Sequence, residues 1–116
     1  MTRLIDRETL QRKLAGPNPP LLAEALPEKY YLDWHLPGAR YLPHDQVRNL
    51  ASGLFPQKSA EIVVYCASRT CQNSHIAARV LEQIGYSDVA VYAGGKQEWQ
   101  EAGLPIERSE AIATAV

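Results

Sequence analysis

Ile62-Val63-Val64-Tyr65-Cys66, continued by Ala67-Ser68-Arg69-Thr70-Cys71-Gln72-Asn73-Ser74, is the stretch whose reading decides the fold. A β-branched run of strand length ends in a cysteine. A polar loop follows. From Ser74 to Ile84 the residues Ile76, Ala77, Val80, Leu81 and Ile84 recur at helical spacing. The order strand, loop, helix puts Cys66 at the carboxyl end of a buried strand, facing the start of a helix. Backbone N–H groups at a helix start lack intrahelical partners and carry partial positive charge. They can stabilise a thiolate or bind an anion. Cys66 is therefore a candidate nucleophile; the alternative is an inert buried thiol packed as a small hydrophobe.

Downstream, Gly85 stands where the helix should end, and Val89 to Tyr92 reads as a second strand. Gly94-Gly95 opens a turn, Lys96 to Ala102 fits a short helix, and Gly103 with Pro105 closes it. Upstream, Asp6 can cap a helix carrying Leu10 and Leu14, and Gly16-Pro17-Asn18-Pro19-Pro20 breaks the chain. Leu21-Leu22-Ala23 fits a short buried strand, Pro27 to Tyr31 a helical turn, and Tyr41-Leu42 another short strand. Pro43 through Leu50 reads as a helix with Val47 and Leu50 on one side, and Phe55-Pro56-Gln57-Lys58 as a loop. Strands alternate with helices. The expectation is one α/β domain over residues 1–116, with a core of about 5–107 and a loose tail over 109–116. Its central, mainly parallel sheet should have about five strands and helices on both faces. No repeat or interdomain linker is evident.

The 116 residues suffice for one core, and an apolar fraction of 46% against 22% charged excludes a disordered chain. The formal net charge of -1, with no basic block, gives no electrostatic reason to expect nucleic acid as a partner. The apolar runs are too short to span a bilayer, so no membrane partner is expected. Met1-Thr2-Arg3-Leu4-Ile5-Asp6 has no apolar signal core. Two cysteines are too few for a disulfide framework, and the expected location is a reducing cytoplasm.

Three motifs now resemble those of the rhodanese-like family, over roughly residues 5 to 107. Val63-Val64-Tyr65-Cys66 and the Ser74 helix resemble the family's strand, anion-cradling loop and helix. His35-Leu36-Pro37-Gly38-Ala39 is similar to its His-Ile-Pro-Gly-Ala turn. Gly94-Gly95-Lys96-Gln97-Glu98-Trp99, followed by Ala102-Gly103-Leu104-Pro105, is similar to its Gly-Gly-x-x-x-Trp ending. Their order and spacing make the resemblance specific. There are departures. Glu24-Ala25-Leu26 stands where the family usually has Asp-Val-Arg, so the early arginine is missing. Trp34 replaces the glycine before the histidine, and the loop after Cys66 is about two residues longer than the commonest form.

The resemblance implies a single-domain sulfurtransferase. Sulfane sulfur would pass from a small-molecule donor such as thiosulfate, through a Cys66 persulfide, to a thiol or cyanide acceptor. A protein thiol is compatible as acceptor, and no cofactor is implied. Cys66 is the expected catalytic residue; Ala67, Ser68, Arg69, Thr70 and Cys71 are the expected substrate-binding loop. Converging N–H groups should bring the Cys66 thiol below its ordinary pKa of about 8.5. Arg69 either contacts the anionic donor or faces solvent. Ser68 and Thr70 either donate to sulfur or are ordinary loop residues. Cys71 is either a small residue at the helix entry or a resolving thiol. Cys66, Cys71 and His75 make only part of a zinc set, and no metal is expected. His35 reads as a hydrogen-bonding structural residue, and Glu24 as a strand-end carboxylate or a helper at the pocket base.

Two other functions compete. A phosphatase or arsenate reductase of related fold needs Cys-x5-Arg, because arginine clamps the oxyanion, but the sixth residue after Cys66 is Gln72. A redox-sensing or regulatory rhodanese-like module would use the Cys66/Cys71 pair instead.

Overall fold

The computed structural model describes residues 2–109. Five strands form one sheet: β1 (Arg3–Ile5), β2 (Leu21–Glu24), β3 (Arg40–Tyr41), β4 (Glu61–Tyr65) and β5 (Asp88–Tyr92). Their order is β1-β5-β4-β2-β3, and every neighbouring pair is parallel. The helices are α1 (Arg7–Ala15), α2 (Glu28–Asp33), α3 (Val47–Leu54), α4 (Asn73–Gln83) and α5 (Gly95–Glu101). The expected α/β architecture is the one observed.

Strand β4 lies at the centre, between β2 and β5. Its alternating side chains divide the core in two. Ile62 and Val64 join Val89, Val91, Ala23 and the inner faces of α3 and α4, including Val47, Ala51, Ala77 and Leu81. Val63 and Tyr65 join Leu22, Tyr92, Leu10 of α1 and Trp99 of α5 on the opposite face. A strand buried on both faces must be apolar throughout, which explains the unbroken Ile-Val-Val run.

Several expectations need adjusting. Strand β1 has no counterpart in the sequence reading: it is an edge strand with two exposed residues and one half-buried residue, so no apolar pattern announces it. The helix expected over Pro43–Leu50 runs instead over Val47–Leu54, with Phe55 as its C-cap. Its inward residues are Val47 and Ala51, while Leu50 is half-buried. Ile76, expected on the buried face of α4, is exposed. The inward face is set by Ser74, Ala77, Ala78 and Leu81, at the i, i+3, i+4, i+7 spacing. The tail expected over 109–116 lies, from residue 110 onward, outside the described residues.

Candidate active site

Cys66 directly follows the last residue of β4, at the carboxyl end of the sheet where ligands of parallel α/β folds collect. It is 2% exposed. Its Sγ lies 3.2 Å from Oγ of the buried Ser74 in the first turn of α4, and 3.5 Å from the backbone carbonyl of Cys71. The loop between them turns back on itself, with the Cys71 N–H donating to the Ser68 carbonyl at 3.1 Å. Helix α4 starts at Asn73 with Gln72 as its N-cap, without a side-chain cap.

A second helix start grips the loop from behind. The N–H of Lys96 donates to the carbonyl of Cys66 at 2.9 Å, and that of Gln97 to the carbonyl of Ala67 at 2.8 Å. These are donors of the first turn of α5, which have no acceptor inside the helix. In a trans peptide the C=O and the next N–H point in opposite directions. Pinning the two carbonyls therefore turns the N–H groups of Ala67 and Ser68 away from α5. Gly95 makes this contact available. Its φ is +63°, and a Cβ there would lie 2.5 Å from the Cys66 carbonyl oxygen and 2.9 Å from the Ala67 carbonyl carbon.

Beneath the loop lies a buried ion pair. Lys96 Nζ is 3.2 Å from Glu24 Oε1, and both side chains are almost fully enclosed. The ammonium also donates to the carbonyls of Tyr30, at 2.8 Å, and Trp34, and sits over the Trp34 ring at 4.5 Å. Glu24 accepts from the hydroxyl of Tyr65 at 2.9 Å, and that hydroxyl in turn accepts from the N–H of Leu36 at 3.1 Å. Burial pushes the Glu24 carboxyl up, opposed by the Lys96 charge; burial also pushes the Lys96 ammonium down, opposed by Glu24. Charges this deep persist because they are paired and hydrogen-bonded. Glu24 is thus part of a network below the loop. Its cation comes from the Gly-Gly-Lys turn and not from position 26, where Leu26 stands.

The Cys66 thiol departs from expectation. Burial pushes it up to about 11, with the neighbouring Cys71 thiol acting in the same direction. Hydrogen bonding with Ser74 acts in the opposite sense. The sequence reading counted the helix N-terminus but not the desolvation of a cysteine sealed under its own loop.

The remaining loop residues are spread along the rim. Arg69 is exposed and turned to α5, where its Nε donates to Glu98 Oε2 at 2.5 Å. The Ser68 and Thr70 hydroxyls hydrogen-bond to each other at 3.1 Å. Ala67 borders a hollow of about 260 Å³ whose walls include Leu26, Tyr30, Trp34, Gln97 and Gln100. A larger hollow of about 410 Å³ lies where α1 ends, at Gly16-Pro17-Asn18. Because α1 returns the chain to the start of β2, that hollow is at the amino end of the sheet, remote from Cys66.

His35 serves structure. Its ring stacks on Tyr31 at 3.9 Å, its Nδ1 bonds to the Tyr31 carbonyl at 2.8 Å, and its backbone pairs with Glu107. Among the described residues no three His, Cys, Asp or Glu side chains converge on a metal position. No described helix is long and apolar enough to cross a membrane. Sequence reading missed Ser74 as a neighbour of the thiol, although its place in the first helical turn after the loop was the available signal. It also missed Lys96 and Glu98, whose partners are far away in the chain.

A family model described as Rhodanese-like domain matches residues 6–102. No curated protein matches. Among solved structures, the thiosulfate sulfurtransferase from Pseudomonas aeruginosa aligns with 96% of this chain at a TM-score of 0.80 and 22% identity. This chain spans only 21% of that protein. The Alr3790 protein from Anabaena sp. is 26% identical, with 91% of this chain and 81% of that chain covered and a TM-score of 0.80. The human single-domain sulfurtransferase TSTD1 is 19% identical over 87% of this chain and 97% of its own, with a TM-score of 0.75.

Proposed function

From its membership of the rhodanese-like domain family, established by the match over residues 6–102, we propose that this chain is a sulfurtransferase with Cys66 as its sulfur carrier. The observation that carries the reading is the position of Cys66. It ends the central strand, with its sulfur against Ser74 in the first turn of α4 and its carbonyl held by the first turn of α5.

The Cys66 thiolate attacks the sulfane sulfur of a small-molecule donor. With thiosulfate the donor S–S bond breaks and sulfite leaves with the electron pair. The enzyme keeps one sulfur atom as a Cys66 persulfide. An acceptor thiolate, on a small molecule or a protein, then attacks the outer sulfur and releases the Cys66 thiolate; cyanide in that role leaves as thiocyanate. The chain's residues contribute a hydroxyl beside the sulfur at Ser74 and a backbone held in place by α5. Ala67, Ser68, Arg69, Thr70 and Cys71 form the wall that meets the donor, and the hollow beside Ala67 offers it room. No step calls for a cofactor. Two free thiols suit a reducing compartment such as the cytoplasm.

Intact mass after incubation with thiosulfate tests the reading. The wild type should gain one sulfur atom that a reducing thiol removes, and Cys66→Ser should gain none while staying folded. A Cys66→Ser chain that turns over thiosulfate as fast as the wild type defeats it.

A further inference from the structure

The carbonyl of Cys71 lies 3.5 Å from the sulfur of Cys66, because the 68–71 turn folds the loop back over the nucleophile. From carbonyl bond lengths, the Cα of Cys71 is then within about 6 Å of that sulfur. A disulfide brings the two Cα atoms to about 4.4–6.8 Å of each other, and the turn holds Cys71 in the neighbourhood from which such a crosslink to Cys66 can be made. The pair is asymmetric: Cys66 is buried and Cys71 is partly exposed, and both thiols are free. The neighbouring Cys71 thiol also acts to raise the pKa of Cys66.

We infer that Cys71 is a resolving thiol that discharges the Cys66 persulfide as hydrosulfide, giving this chain a persulfide-reductase half-cycle. The inference rests on the sulfurtransferase reading for the loading step. Cys71 loses its proton to solvent, and its thiolate attacks the inner sulfur of the protonated persulfide, Sγ of Cys66. The Sγ–S bond breaks and its electron pair leaves on the outer sulfur as HS⁻. A Cys66–Cys71 disulfide forms. Two electrons pass from the two cysteine sulfurs to the sulfane sulfur, so the step needs no external oxidant. A thiol or dithiol reductant then reopens the disulfide, entering at the more accessible Cys71 and restoring both thiols. The donor class this favours is any sulfane-sulfur compound that can load Cys66. The product is hydrosulfide, released without an acceptor having to reach the buried persulfide.

The test loads wild type, Cys71→Ser and Cys71→Ala with excess thiosulfate, removes the donor, and follows intact mass and released sulfide without any added thiol. Circular dichroism confirms that both variants fold. The wild type should release one sulfide per loaded chain and end two hydrogens lighter than the reduced protein, with peptide mapping locating the Cys66–Cys71 crosslink. Both variants should keep the extra sulfur at least tenfold longer. A wild type that holds its persulfide as long as the variants overturns the inference and leaves sulfur transfer intact. Failure of all three chains to load any sulfur removes both readings. A crosslink that forms in dilute peroxide but never with sulfide release also overturns it, and points to a redox sensor.

Discussion

Lys96 touches both the Cys66 backbone and the acid below it: its N–H donates to the Cys66 carbonyl at 2.9 Å while its Nζ pairs with Glu24 at 3.2 Å. One residue thus ties the loop after Cys66 to the strand β2 that carries Glu24. The pair is buried, so its two halves are unequal to remove. Taking one partner away strands a charge. Taking both away leaves a space that apolar groups can fill.

The first prediction follows from that asymmetry. Lys96→Met alone should cost about 3–5 kcal/mol in urea unfolding, and Glu24→Leu/Lys96→Met should recover most of it. Additive losses in the double variant would show that the two groups do not act as a pair.

Gly95 should tolerate no side chain. Gly95→Ala combines a φ of +63° with a Cβ 2.5 Å from the Cys66 carbonyl, so either the loop or α5 must shift. The expected loss is about 1 kcal/mol or more in stability, with a fall in kcat of ~10-fold or more for sulfur loading. A fully active alanine variant would mean that the α5 contact does not position the loop.

The buried thiol sets a pH dependence. With the Cys66 thiol at about 11, its thiolate fraction should rise about tenfold per pH unit from neutrality until the curve bends near that value. Iodoacetamide labelling of Cys66, followed by peptide mass, reads this directly. The same shift bears on stability. A group whose pKa is higher folded than unfolded favours the fold fully below its unfolded value, about 8.5 for a free thiol, and that contribution is lost as pH rises through about 11. Tyr92, pushed up to about 12 by burial, acts in the same direction. The urea midpoint should therefore fall between pH 9 and 11, and a flat midpoint contradicts the buried-thiol geometry.

Ser74 should work against that burial. In the thiolate state its hydroxyl can donate to the sulfur 3.2 Å away, and this interaction lowers the thiol pKa. Ser74→Ala should move the bend in the labelling curve to higher pH and slow sulfur loading at pH 8, with Ser74→Thr restoring part of both. An unmoved bend would reduce Ser74 to a packing role.

Arg69 and Glu98 should oppose each other in donor binding. Their ion pair is exposed on the arginine side, so Glu98→Gln should change stability by no more than about 1 kcal/mol. It frees the guanidinium to meet an anionic donor. The KM for thiosulfate should then fall by up to ~5-fold, while Arg69→Ala should raise KM more than it lowers kcat. Identical KM values across these variants would leave Arg69 as a solvated rim residue.

Much of this molecule was legible locally. The period of apolar residues marked β4, β5 and α4 to within a residue or so, because a doubly buried strand must be apolar throughout and a helix must present one inward stripe. The position of Cys66 followed from the same local rule, since a strand that ends where a loop meets a helix delivers its last residue to the carboxyl edge of the sheet. Strand β1 escaped because an exposed edge strand needs no apolar alternation.

What only the tertiary structure decided is the pairing across the chain. Glu24 meets Lys96 across 72 positions and Arg69 meets Glu98 across 29, and both meetings depend on the order in which parallel crossovers stack the strands. Periodicity carries no information on which carboxylate will face which cation. Nor does it report how completely a loop will seal its own cysteine. Local sequence therefore determined where the thiol stands, while the packed fold determined its proton affinity and its neighbours, because desolvation and long-range contact exist only once the layers have closed.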